Sequence, residues 1–216
     1  MYTCSLEYWD HEFLVLSAGL MPNSQTTTSL IAMSVNTEAV AFMVSYGLSA
    51  AASTRVANEL GGGNIDKAKH AMFVTLKLCV LLALVVDLAL FFGHSAWAGL
   101  FSDSTQIIKE FATMMPLLLI SFVVDFFQRN FIRGVARGCG WQHLVMFINL
   151  ATFYFIGMPI SWLLAFKFNL HAQGLWMGSI CGLACQALGL LLLTLLTKWE
   201  KLEDSIKSNR ENELLA

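Results

Sequence analysis

Residues 71–98 read AMFVTLKLCVLLALVVDLALFFGHSAWA, and Lys77 and Asp87 are the charged residues among them. A helix needs about 20 residues to cross a hydrocarbon core roughly 30 Å thick, so this run can span a bilayer with length to spare. Apolar runs of similar character occupy about 1–20, 29–53, 111–132, 143–166 and 171–197. They lack the ten-residue dyad alternation of outer-membrane barrel strands, and lipid offers no partner for an open backbone, so each run is expected to be a helix. The expected fold class is therefore all-α, an integral membrane bundle of six transmembrane helices. The separators agree: Pro22-Asn23-Ser24-Gln25, Gly61-Gly62-Gly63-Asn64, Ser102-Asp103-Ser104, Gly138-Cys139-Gly140 and Asn169-Leu170-His171 are turn chemistry.

Composition points the same way. Hydrophobic residues make up 56% of the 216 and charged residues 13%, against about 25% charged in soluble domains, so most of the surface must meet lipid. A net charge of -2 supplies no basic face for nucleic acid. Ten of the thirteen Lys and Arg fall in segments 53–70, 129–142 and 198–216. The positive-inside rule makes that side cytoplasmic, together with both termini. Lys77 lies near enough to the basic side to snorkel. Residues 1–197 form the expected six-helix unit, with a first helix that begins abruptly and reads as truncated at its N-terminus. Residues 198–216 form a polar cytoplasmic tail. The acidic start and the lack of a small-residue cleavage site argue against a signal peptide.

Several look-alikes carry no chemistry. The 61–64 glycine run has neither a following Lys-Ser pair nor a preceding strand, so it is not a phosphate loop. Cys4, Cys79, Cys181 and Cys185 sit in or near spans and Cys139 faces the reducing side, which disfavours disulfides. Cys181 and Cys185 share a helix face but lack further ligands, so packing is expected rather than metal. No His-Glu-x-x-His pattern or comparable pair suggests an enzyme. Gly174, Gly178 and Gly182, four residues apart, should let a neighbouring helix of the same chain approach closely. Pro116 and Pro159 each remove a helical hydrogen bond and should kink their spans.

The sharper signal is ionisable. Glu7, Asp10, Glu12, Glu38, Asp87 and Asp125, with the amide of Asn36, stand within apolar runs, where such groups usually face a cavity and mark a proton or ion pathway. At 100° per residue Glu7 and Asp10 lie about 60° apart and Glu12 about 140° from Glu7, so the three cannot share one small site. Asp10, beside His11, reads as a structural or solvated acid. Asp125 has Arg129 four residues on, the spacing of an intrahelical ion pair.

Residues 4–12, CSLEYWDHE, followed by LSAGLMPN at 16–23, resemble the seventh helix and outer loop of plant multidrug and toxic compound extrusion (MATE) transporters. Residues 47–61, GLSAAASTRVANELG, resemble the end of the family's eighth helix, 134–142, GVARGCGWQ, the loop before its eleventh, and 174–178, GLWMG, the start of its twelfth. The resemblance implies one lobe, the C-terminal half, of a twelve-helix transporter of the DETOXIFICATION type, whose cavity lies between two lobes. It further implies an antiporter exporting xenobiotics or other organic compounds such as cations, flavonoids or alkaloids. The coupling ion would be the proton in preference to sodium, no cofactor would be needed, and the membrane would be the plasma or vacuolar one. By the same resemblance Glu7, Glu12 and Asp125 couple protons and bind substrate, while Tyr8, Trp9, Asn36, Glu38 and Tyr46 line the cavity. The partners would be a small organic substrate, the lipid bilayer and a missing N-terminal lobe. A truncated, non-transporting membrane fragment is the alternative. Asp10 and His11 depart from the family pattern, which has a small or neutral residue and an aromatic there. The stretch 125–134 is one residue longer than the pattern, and one added residue rotates what precedes it by about 100°.

Overall fold

The computed structural model describes residues 2–128 and 142–196, without the side chains of 2–8, 10, 44, 142 and 194–196. The motif segment 134–141, Arg129 and the tail 198–216 lie outside the described residues. Among those described, six helices follow in order: α1 (Tyr2–Gly19), α2 (Ser24–Gly61), α3 (Ile65–Gly99), α4 (Thr105–Phe126), α5 (142–167) and α6 (His171–Leu196). The all-α bundle expected from the apolar runs is what forms.

The turns form where the separators stood. Asn23 adopts the left-handed conformation (φ 59) at the entry to α2, which Asn tolerates better than most residues. Gly63 (φ 73) supplies the same handedness between α2 and α3, and Asn169 (φ 55) and His171 (φ 46) between α5 and α6. By length and apolarity α3, α4, α5 and α6 each qualify as membrane spans, and α2 makes a fifth when its two halves are counted together. α1 carries Glu7, Asp10, His11 and Glu12 within its 18 residues.

α2 extends beyond the apolar run 29–53 at both ends. Its first turns are polar, and there Thr27, Ser29 and Ser34 return their hydroxyls to the carbonyls of Asn23, Gln25 and Leu30 at 3.3, 2.8 and 2.9 Å. Ser45 makes a similar bond to Phe42 O, 2.9 Å. Ser/Thr back-bonding of this kind bends helices, and the two halves of α2, Ser24–Met43 and Ser45–Gly61, meet there at 41°.

α4 occupies the middle of the bundle. Phe111, Met114, Leu118, Ser121, Phe122 and Asp125 recur every three or four residues along its buried face. Phe111, Met114, Leu118 and Phe122 share one core cluster with Leu14 and Ala18 of α1, Ile31 and Met33 of α2, and Leu175 and Trp176 of α6. α3 packs against α2 and α4 through a small-residue seam that includes Ala68, Thr75, Cys79 and Ala83. Its bulky side chains, among them Phe73, Leu81, Leu88 and Phe92, point outward. That is the distribution expected of a helix meeting lipid, where close backbone approach rather than apolar burial joins helices.

The glycines of α6 pack inside the chain. A Cβ on Gly174 would stand 2.7 Å from Ala165 N, one on Gly182 3.2 Å from Gly157 Cα, and one on Gly178 would overlap the backbone of Ser161. Ser161 Oγ ties the two helices further by donating to Leu175 O at 3.0 Å. On the α5 side, Pro159 follows a π-helical segment, Phe153–Gly157, and precedes another, Leu163–Lys167. The sequence leads one to expect a kink at this proline; the structure widens the helical turns on either side of it. A wider i to i+5 turn accommodates the carbonyl that the ring would otherwise strike.

Candidate functional site

Three consecutive residues of α2 face three ways, as 100° per residue requires. Glu38, 4% exposed, points to α1, where its Oε2 lies 2.9 Å from His11 Nε2. Thr37, 2% exposed, points to α3: its Oγ1 accepts from Trp97 Nε1 at 2.8 Å and donates to Met33 O at 2.7 Å. Asn36 is exposed and donates to Ala32 O at 2.9 Å. α2 is thus held on two sides at one level, with an amide presented on a third.

The exposed face around Asn36 is amphipathic. Val40, Met43 and Tyr46 continue it at helical spacing, and Tyr46 meets Phe42 edge to face, ring centroids 5.7 Å apart. On α1, Glu12 is exposed and Trp9 is 68% exposed. Between them the exposed residues of the two helices offer a carboxylate, an amide, a thioether and aromatic faces, the kinds of group that hold an amphipathic organic molecule.

Glu7 and Tyr8 belong to the helical backbone of α1, and their side chains fall outside the description. Asp125 is on the buried face of α4, 3% exposed. One turn before it, Ser121 Oγ accepts from Trp176 Nε1 at 3.3 Å. Two residues beyond it Phe127 and Gln128 are π-helical, and Gln128 is fully buried. A π turn takes up one extra residue locally, so the longer stretch 125–134 is compatible with Asp125 remaining on the face shared with Ser121 and Phe122.

The His11–Glu38 contact is the feature sequence reasoning missed. His11 read as a companion of Asp10 and Glu38 as a cavity residue; the available signal was one imidazole and one carboxylate in the apolar runs of two consecutive helices. Asp87, apart from this group on α3, has one carboxylate oxygen buried with no hydrogen-bond partner among the described residues.

A family model described as MatE matches residues 2–163. Protein DETOXIFICATION 18 of Arabidopsis thaliana is 55% identical over 197 residues, 91% of this chain and 42% of that protein. Protein DETOXIFICATION 16 of the same plant is 41% identical, over 91% of this chain and 40% of its own length. The crystal structure of the eukaryotic MATE transporter AtDTX14 superposes with TM-score 0.89 at 35% identity, covering 96% of this chain and 46% of that one. The outward-facing conformation of a multidrug resistance MATE family transporter shares the fold, TM-score 0.75 at 15% identity, over 95% of this chain and 44% of that one. The chain spans less than half the length of these relatives.

Proposed function

The chain belongs to the MatE family, and from that premise we propose that it forms one lobe of a secondary active transporter exporting organic compounds in exchange for protons. The observation that carries this reading is the contrast between two exposed surfaces. α3 shows bulky hydrocarbon, whereas the exposed side of α2 carries Asn36, Val40, Met43 and Tyr46, with Glu12 and Trp9 exposed on α1. The first suits lipid; the second suits an aqueous cavity shared with another lobe, the arrangement that alternating access requires.

In this reading Glu7, Glu12 and Asp125 load and release the proton, and Tyr8, Trp9, Asn36 and Tyr46 line the path of an amphipathic organic substrate. Protonating a carboxylate removes the charge that attracts an organic cation, so proton and substrate compete and exchange follows. Glu38 takes a different part from the other cavity residues, because its carboxylate is occupied by His11. No cofactor enters the scheme. The termini are cytoplasmic by the distribution of Lys and Arg, and the membrane is the plasma or vacuolar one.

The test reconstitutes the chain in proteoliposomes with an amphipathic cationic dye and an imposed pH gradient. Dye movement that collapses with a proton ionophore and is lost in Glu7→Gln supports the proposal. Dye binding that depends on Glu7 without net movement assigns the chain the binding half of the task. Absence of both overturns the reading.

A further inference from the structure

We propose that His11 and Glu38 form a proton-operated clasp joining α1 to α2. The two groups are 27 residues apart in sequence and 2.9 Å apart in space, with Glu38 4% and His11 18% exposed. A carboxylate so far from water needs a compensating partner. Its state depends on proton count. Neutral imidazole with ionised Glu38 carries one net negative charge. One proton taken from water onto the imidazole makes an ion pair of zero net charge, with the strongest attraction across the helix boundary. A second proton, on Glu38, leaves imidazolium beside a neutral acid and removes that attraction. The clasp therefore closes over the first protonation and loosens over the second.

The surroundings favour this pair as the local proton site. Glu7, Asp10 and Glu12 share α1 with His11; Glu7 is four residues before it, on the same helix face. Trp97 marks the level of Glu38 on α3 through its bond to Thr37. His94 lies one turn from that level, its Nδ1 donating to Phe91 O at 2.9 Å, while Asp87 lies roughly 15 Å along α3. The charges from Asp66 to Lys77 lie roughly 30 Å or more away along α3. On α4 the groups are Lys109 and Glu110 in its first two turns and Asp125 near its far end; His143, Lys167 and His171 stand at the ends of α5 and α6. Among the described residues, Glu38 is in hydrogen-bond contact with His11 across the α1–α2 boundary.

The clasp itself is independent of the transport reading, and its consequence for transport rests on that reading: it would fix α1, and with it Glu7, against α2 in one protonation state. Two measurements on the 216-residue chain in nanodiscs test it without substrate. In chain labelled with 15N-histidine, the resonance assigned to His11 by its loss in His11→Phe should titrate. Glu38→Gln should move its midpoint by about one pH unit or more, as expected when an opposite charge in contact is removed, while Glu38→Asp should keep most of the parent behaviour. Spin labels at Leu16 and Val40, both exposed, in a cysteine-free background should give an α1–α2 distance distribution that narrows between pH 8 and pH 6, and this response should vanish in Glu38→Gln. If Glu38→Gln does not fold, the same loss is required of His11→Phe. A His11 midpoint that ignores Glu38, or a distance response that survives both substitutions, overturns the proposal whatever the outcome of the flux assay.

Discussion

Thr37 and Ser121 each receive the indole N–H of a tryptophan from another helix, Trp97 at 2.8 Å and Trp176 at 3.3 Å. In lipid these bonds cannot be replaced by water, yet measured interhelical bonds average only about 0.6 kcal/mol and reach about 1.7. Thr37→Val and Ser121→Ala should therefore each lower unfolding stability by about 1 kcal/mol, read by steric trapping in bicelles. The Ser121 change should cost more, since Trp176 is 2% exposed and its N–H would be left buried. Asp125→Asn keeps the shape of the side chain and removes its titration. It should abolish proton-driven dye movement at every pH while leaving the helical circular dichroism unchanged. At this scale the sequence made the cost of each intramembrane acid readable, because charge within an apolar run is visible in one dimension. The pairing of His11 with Glu38 was not readable, since it depends on which faces of α1 and α2 meet, and that is a matter of the shared core in which Leu14, Ala18, Ile31 and Met33 are buried.

Among the helices, the most specific contact is the glycine seam of α6 against α5. Gly178→Ala places a methyl group on the backbone of Ser161, so it should destabilise the chain by about 1–3 kcal/mol or more, as overpacking does. Gly93→Ala on α3 is the control: a Cβ there meets nothing within 4 Å, and removing a helical glycine should be neutral or stabilising by up to about 1 kcal/mol. Thermal unfolding of the two variants side by side checks the contrast. Glycines spaced by four were legible as a close-approach face, whereas the partner helix was not, because spacing on one helix contains nothing about its neighbour. Pro159 illustrates a different gap. The ring announces a lost hydrogen bond, but whether the backbone answers with a sharp bend or with wider turns depends on what the flanking residues can tolerate.

For the molecule as a whole, exposure has two meanings. The outward residues of α3 should face acyl chains, and those of α2 should face water. Nitroxides at Leu81, Leu88 and Phe92 should collide readily with oxygen and poorly with a water-soluble nickel chelate; nitroxides at Met43 and Tyr46 should show the reverse order. Equal oxygen preference at all five sites would remove the cavity from the exposed side of α2. Apolar run length and turn residues had disclosed the six-helix order, since lipid restricts what a chain can do there more severely than water does. Exposure of the α2 stripe had no such signature, because Val40 and Met43 stand in an apolar run where only the packing of α2 against its neighbours decides which residues are left outward. Where backbone meets backbone along Gly174, Gly178 and Gly182, no layer of side chains remains to shear, so α5 and α6 can tilt only as a single stiff body. Compliance is left to the bent α2 and its junction with α1, the two helices that carry Glu7, Glu12 and Glu38.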